Sequence, residues 1–115
     1  MQNGLTVMSP DQRPTPLKVV GTDVTVLASA SQTGSYGLTF QTGEEGTGPP
    51  PHCHDWDEAF YVISGAVNFL CGDVRHSCVA GTLVHIPRNT VHGFSYAKGG
   101  GTMLEITSRD RKSVV

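Results

Sequence analysis

The sequence predicts an all-β domain, a sandwich or barrel, on three observations. Nine short runs rich in β-branched and aromatic residues follow one another at spacings near ten residues. Glycine (14) and proline (7) fall between those runs, and no window carries apolar residues at helical spacing over three turns. A length of 115 residues is that of one domain, and such a chain buries roughly two-thirds of its unfolded surface without needing disulfide staples.

Taken in order, "MQNGLTVMSPDQRPTP" holds three prolines and little apolar periodicity, so residues 1–16 read as an arm outside the core. "LKVVG", "DVTVLAS" and "YGLTFQT" are the first strands, each closed by glycine or small polar residues. "QTGEEGTGPPP" is a stiffened turn, in which glycines permit the bend and the proline run extends the chain. "EAFYVISG", "AVNFLCG", "RHSCVAG", "TLVHIP", "TVHGFSY" and "TMLEITS" complete the β set, placing the barrel at 17–107 and a tail at 108–115. Helix is expected to be minor.

The net charge of −2 supplies no basic field for nucleic acid or anionic lipid. No apolar run approaches the eighteen or so residues a membrane span requires. The N-terminal stretch lacks a basic region followed by an apolar one, so no secretory signal is read. Cys53, Cys71 and Cys78 are then expected to be reduced thiols of a cytoplasmic protein.

The chemistry concentrates in "PPPHCHDWDEAFYVISG", residues 49–65. In an extended strand successive side chains alternate faces. His52, His54 and Glu58 share parity, and Phe60 and Val62 continue that face; Cys53, Asp55, Asp57 and Ala59 lie on the other. One face thus presents two imidazoles and a carboxylate and then turns apolar, as in a metal ligand set at the mouth of a barrel. A further ligand must come from elsewhere, and His92 in "GTLVHIPRNTVHGFSY" is the candidate, with Phe94 and Tyr96 on its face. His76 reads as part of a short polar connection facing solvent, and parity alone does not place His85.

These residues resemble the two motifs of the cupin superfamily. Gly46, His52, His54, Glu58 and Gly65 fill the first motif without a gap. In the second, Gly81, Pro87 and His92 match, whereas Asn89 stands where glycine is usual and Tyr96 where asparagine is usual. Asn tolerates the left-handed conformation that glycine supplies there. "GTGPPPHCH" with "DEAFYVISG" is most similar to the small quercetin-dioxygenase-like cupins. The resemblance implies a double-stranded β-helix, a jelly-roll barrel, with His52, His54, Glu58 and His92 on one divalent ion per chain: Mn, Fe, Co, Ni, Cu or Zn.

The plainer alternative is that these four side chains hydrogen-bond in a polar mouth without metal. An inward carboxylate lacking a cation costs several kcal/mol of desolvation, which favours the metal. Cys53, of opposite parity, reads as a buried thiol outside the ligand set. Asp55 and Asp57 read as solvated or loop-ending, and Trp56 as a guard of the mouth or an anchor in a loop or interface. Tyr61, Ile63 and Ala59 make the outer face apolar too, so a second layer or a partner chain should cover it; a homodimer is the economical expectation.

Inward Phe60, Val62, Phe94 and Tyr96, with Phe40 and Met103, are expected to line a mostly apolar cavity for a small molecule chelating through a hydroxyl beside a carbonyl. Glu58 would take the hydroxyl proton. The expected activity is a metal-dependent dioxygenase, set against a non-oxidative isomerase, lyase or cyclase and against a binding module without turnover. No second inward acid and no inward arginine beyond Arg88 are read from the sequence.

Overall fold

Alternating side chains favour strands that bury one face. In the computed structural model, which describes residues 4–108, the chain forms seven strands joined only by antiparallel pairings. They are β1 (Leu17–Val19), β2 (Thr22–Ala28), β3 (Gly37–Gly43), β4 (Asp57–Cys71), β5 (Val74–Val79), β6 (Leu83–Ile86) and β7 (His92–Ser108). Among the described residues helix is limited to a 3-10 turn at Pro10–Gln12 and one α turn, α1 (Ala30–Thr33). No helix among the described residues is long and apolar enough to cross a membrane.

The sheet runs β1-β2-β3-β7-β4-β5, and β6 also pairs with β4. One edge of β4 therefore carries β7 along nearly its whole length. Its other edge is shared between β6, against Glu58–Tyr61, and β5, against Ala66–Cys71. This is the all-β jelly roll that the sequence predicts, in a single domain.

Nine expected runs become seven strands because two glycine signals mark bends rather than ends. "EAFYVISG" and "AVNFLCG" fuse into β4, and "TVHGFSY" and "TMLEITS" into β7. The two strands cross most closely at Gly65, whose φ is +70°, where an added side-chain carbon would run into the carbonyl oxygen of Gly100. The ladder shifts register on both sides of this point, between Val62 and Ser64 and between Gly65 and Val67, and continues. His76, expected in a connection, lies on β5 opposite Phe69, though it is exposed as anticipated.

The core sits between the halves of the folded sheet: Phe60, Val62, Val67, Phe69, Cys78, Ile86, Phe94, Tyr96 and Met103 are buried. Phe60, Phe69 and Phe94 form a mutual cluster with ring centroids 5.2–5.4 Å apart, and Tyr96 meets Phe94 edge-on. Such aromatic pairs add about 0.5–1.5 kcal/mol each beyond the area they bury. On the outer face Tyr61, Ile63, Leu83 and Ile106 are exposed in the single chain. Within the arm, the Arg13 guanidinium stacks 4.7 Å from the centroid of Phe40. Of the tail expected at 108–115, Ser108 ends β7 and residues 109–115 lie outside the described residues.

Candidate metal centre

The strand expected to carry the first ligands starts only at Asp57, yet the alternation survives upstream of it. His52 and His54 are half-buried, while Cys53 and Asp55 are exposed. The segment is held extended by neighbours rather than by a strand of its own. The backbones of His52 and His92 exchange N–H···O bonds of 2.8 Å in both directions, and the Asn89 N–H donates to the His54 carbonyl at 2.6 Å. The Asp57 carboxylate accepts the Arg88 N–H at 2.9 Å, tying the start of β4 to the same turn. That turn works with Asn89 in place of glycine because Asn adopts the left-handed region, at φ +64°. Cys53 is thus corrected from a buried to an exposed thiol.

The four expected ligands converge. One donor atom from each of His52, His54, Glu58 and His92 lies within 4.8 Å of the others. Donors on one ion stand about 3–4 Å apart for bonds near 2.1 Å, so small side-chain rotations close the set. Glu58 and His92 are buried, and the two histidines of the entering segment form the mouth.

Hydrogen bonds orient the rings. His52 Nδ1 lies 2.7 Å from the Pro50 carbonyl and His92 Nδ1 lies 2.8 Å from that of Thr90. A carbonyl only accepts, so Nδ1 carries the proton in both rings, and the Nε2 atoms are left to serve as donors to an ion. Trp56 stacks on His54 at 4.3 Å between centroids with planes 7° apart, fixing that ring as well.

His92 Nε2 lies 2.7 Å from Glu58 Oε1, a separation that requires a proton between them. Burial by itself lowers the His92 pKa, but the Glu58 hydrogen bond, the Thr90 carbonyl and the charges of Glu58 and Glu105 outweigh it and raise it. Burial by itself raises the Glu58 pKa; the hydrogen bond and charge of His92, the charge of His54 and a hydrogen bond with Glu105 outweigh it and lower it. The pair holds a proton where an ion would bind. Three nitrogens and one oxygen fit a divalent transition ion.

Two cavities, of about 280 and 230 Å³, meet at this centre, and both are lined by Glu58 and Glu105. The first adds His54 and Trp56; the second adds His52, Phe60 and Phe94. Of the expected pocket residues, Phe60 and Phe94 line a cavity, whereas Val62, Tyr96 and Met103 belong to the packed core. Phe40 is a correction. It projects from the opposite face of β3 to Thr39 and Gln41 and sits under Arg13.

The expectation of no second inward acid is also corrected. Glu105 Oε1 accepts hydrogen bonds from Gln41 Nε2 at 2.8 Å and from the Thr39 hydroxyl at 3.1 Å. A signal for it was present, since Met103 and Glu105 share parity and the alternation that puts one inside does so for both. Thr39 and Gln41 were missed because the expectation of an inward Phe40 between them put both on the reverse face. Arg88 is exposed, with its Nε 3.8 Å from Asp57. A further cavity of about 360 Å³ is lined by Cys71, His76, Cys78 and His85 and by His92. Burial pushes the Cys78 thiol pKa up, which makes it less reactive.

A family model described as a cupin domain matches residues 39–107. A search of curated proteins finds no match. Among solved structures, KdgF from Halomonas sp. superposes with a TM-score of 0.82 at 17% identity, covering 96% of this chain and 98% of that one. An RmlC-like cupin from Shewanella frigidimarina gives 0.81 at 19% identity over 96% and 97%. The polyketide cyclase RemF from Streptomyces resistomycificus gives 0.78 at 21% identity over 94% and 82%.

Proposed function

The chain belongs to the cupin family, and from that premise we propose that it is a metal-dependent enzyme acting on a small molecule that chelates through a hydroxyl beside a carbonyl. The observation that carries this reading is the convergence of His52, His54, Glu58 and His92 where two cavities meet. His52, His54, Glu58 and His92 would hold the ion and leave room on it for a chelating substrate. Each cavity falls just below the roughly 300–1,000 Å³ usual for ligand pockets, which favours a small substrate.

A divalent ion held by these side chains supplies Lewis acidity toward the two substrate oxygens, lowering the pKa of the hydroxyl. The residues do the rest. Glu58 accepts the hydroxyl proton, and Phe60 and Phe94 keep water from the far wall of the second cavity. Glu105, within hydrogen-bonding reach of Glu58, gives that proton a second carboxylate from which it can return to a substrate carbon. That arrangement supports a non-oxidative outcome: isomerisation, cyclisation or lysis.

Oxidative cleavage by dioxygen is the second reading, favoured by the resemblance of "GTGPPPHCH" and "DEAFYVISG" to quercetin-dioxygenase-like cupins. The two are separated by turnover of hydroxy-ketone substrates on protein loaded with Fe, Mn, Co, Ni, Cu or Zn, with and without oxygen. Equal turnover in both atmospheres is the outcome expected of proton transfer. Product only in air would replace it by the dioxygenase, and binding without product under every metal would leave a binding module.

A further inference from the structure

The cavity of about 360 Å³ takes no part in the chemistry proposed above, and none of its lining residues lines either cavity at the metal centre. It arises from the way β4 shares one edge between two strands. β6 pairs with Glu58–Tyr61 and β5 with Ala66–Cys71, on either side of the point where β4 bends, and β5 and β6 do not pair with each other. Residues directly opposite in a ladder share a face. Val84 and Ile86 therefore turn inward with Phe60 and Glu58, and His76 and Cys78 with Phe69 and Val67. All four line the cavity, as does Cys71, which stands opposite His92 in the ladder.

The lining defines what can occupy this space. Phe69, Cys78, Val84 and Ile86 make its walls apolar, and no Asp, Glu, Lys or Arg lines it, in contrast to the cavities that hold Glu58 and Glu105. An ion entering here would lose hydration without meeting a carboxylate, ammonium or guanidinium. The exposed His76 offers an uncharged guest one hydrogen bond. Packed interiors leave few voids larger than a water molecule, whereas this space falls within the roughly 300–1,000 Å³ usual for ligand pockets. An apolar cavity of about 150 Å³ admits benzene, so about two fused rings fit here.

We propose that this cavity is a second binding site, for a small uncharged aromatic molecule of about two fused rings that carries one hydrogen-bonding group. His92 is part of its wall, so an occupant lies against a residue of the candidate metal centre while leaving the cavities assigned to the chelating substrate open. The assignment does not depend on the activity proposed above.

The probe is 2-naphthol, set against naphthalene-2-sulfonate, which carries the same rings and a permanent negative charge. Binding is followed on isotope-labelled protein, with and without added zinc, through nuclear Overhauser contacts between probe ring protons and protein methyl groups. With or without zinc, 2-naphthol at saturation should contact the methyl groups of Val84 and Ile86. The sulfonate should bind about tenfold or more weakly, because its charge would be buried without a partner. Val84→Phe, which fills the cavity, should weaken 2-naphthol binding by about tenfold or more at unchanged zinc content. Should that variant fail to fold, Cys78→Leu is the filling variant and is held to the same result. Absence of 2-naphthol binding, contacts only to Val24 or Val26 in the cavities at the metal centre, equal affinity for the two probes, or undiminished binding by the filled variant each overturns the assignment.

Discussion

Glu58 and Val62 stand on the same face of β4, four residues apart, and live in opposite environments. Around Glu58 two strands supply polar groups: His92 and Glu105 from β7, Thr39 and Gln41 from β3. Opposite Val62, β7 supplies Met103, and these two side chains and that of Tyr96 are almost completely excluded from solvent. At the first end a buried charge is tolerable because Glu58 and His92 face each other at 2.7 Å. At the second, a single polar atom, the Tyr96 hydroxyl, is buried without a hydrogen bond, and burial followed by the charge of Glu105 raises its pKa. One pair of long strands therefore carries the candidate metal centre at one end and the apolar core at the other, and the two should be separable by mutation.

The largest expected effect is at the ligand end. His54→Ala should weaken metal binding by more than about 100-fold, exceeding the loss usual for a supporting residue, while the barrel stays folded. Full metal occupancy in that variant, by elemental analysis, would remove His54 from the centre. The converse test is Met103→Ala. It should cost about 2–5 kcal/mol of unfolding free energy as a cavity opens in the core, with one ion still bound per chain. Metal loss without a stability change there would erase the distinction between the ends.

A pH profile of the metal-free protein sharpens the comparison further. The raised His92 pKa contributes stability that is complete below the ordinary imidazole value of 6.5 and lost as pH rises through the raised value. The lowered Glu58 pKa contributes stability present above the ordinary carboxylate value of 4.5 and lost as pH falls through the lowered value. Thermal stability without metal should therefore peak between 4.5 and 6.5. Metal affinity should instead rise with pH, because the ion must displace the proton between the two. Profiles that do not diverge would argue that the pair is not the ion's seat.

The smallest effect belongs to Cys53, which sits between two ligands but points to solvent. Cys53→Ser should change stability by less than about 0.5 kcal/mol and leave metal content unaltered. Lost metal would mean that the segment before β4 faces the other way.

Much of this was legible because it depends on local periodicity. Alternation placed His52, His54, Glu58, Phe60 and Val62 on one face, and the turn before His92 had the composition its backbone uses. Alternation relates residues within a strand but says nothing about which residue of the next strand stands opposite. Phe40 was misassigned for that reason: only the pairing of Gln41 with Met103 and of Thr39 with Glu105 shows that β3 turns its polar residues inward. Glycine signals were likewise ambiguous, since Gly65 bends a continuous ladder where its composition suggested a turn.

The sequence by itself determined the all-β class, the shared face of three members of the candidate quartet (His52, His54 and Glu58) and the apolar stripe beyond it, because each follows from side-chain type at a period of two. The tertiary structure alone decided that the quartet converges within 4.8 Å, that Glu105 stands beside it and that Cys53 faces solvent. Those outcomes are fixed by cross-strand register and by the backbone bonds between His52 and His92. Both are long-range contacts that no local pattern encodes.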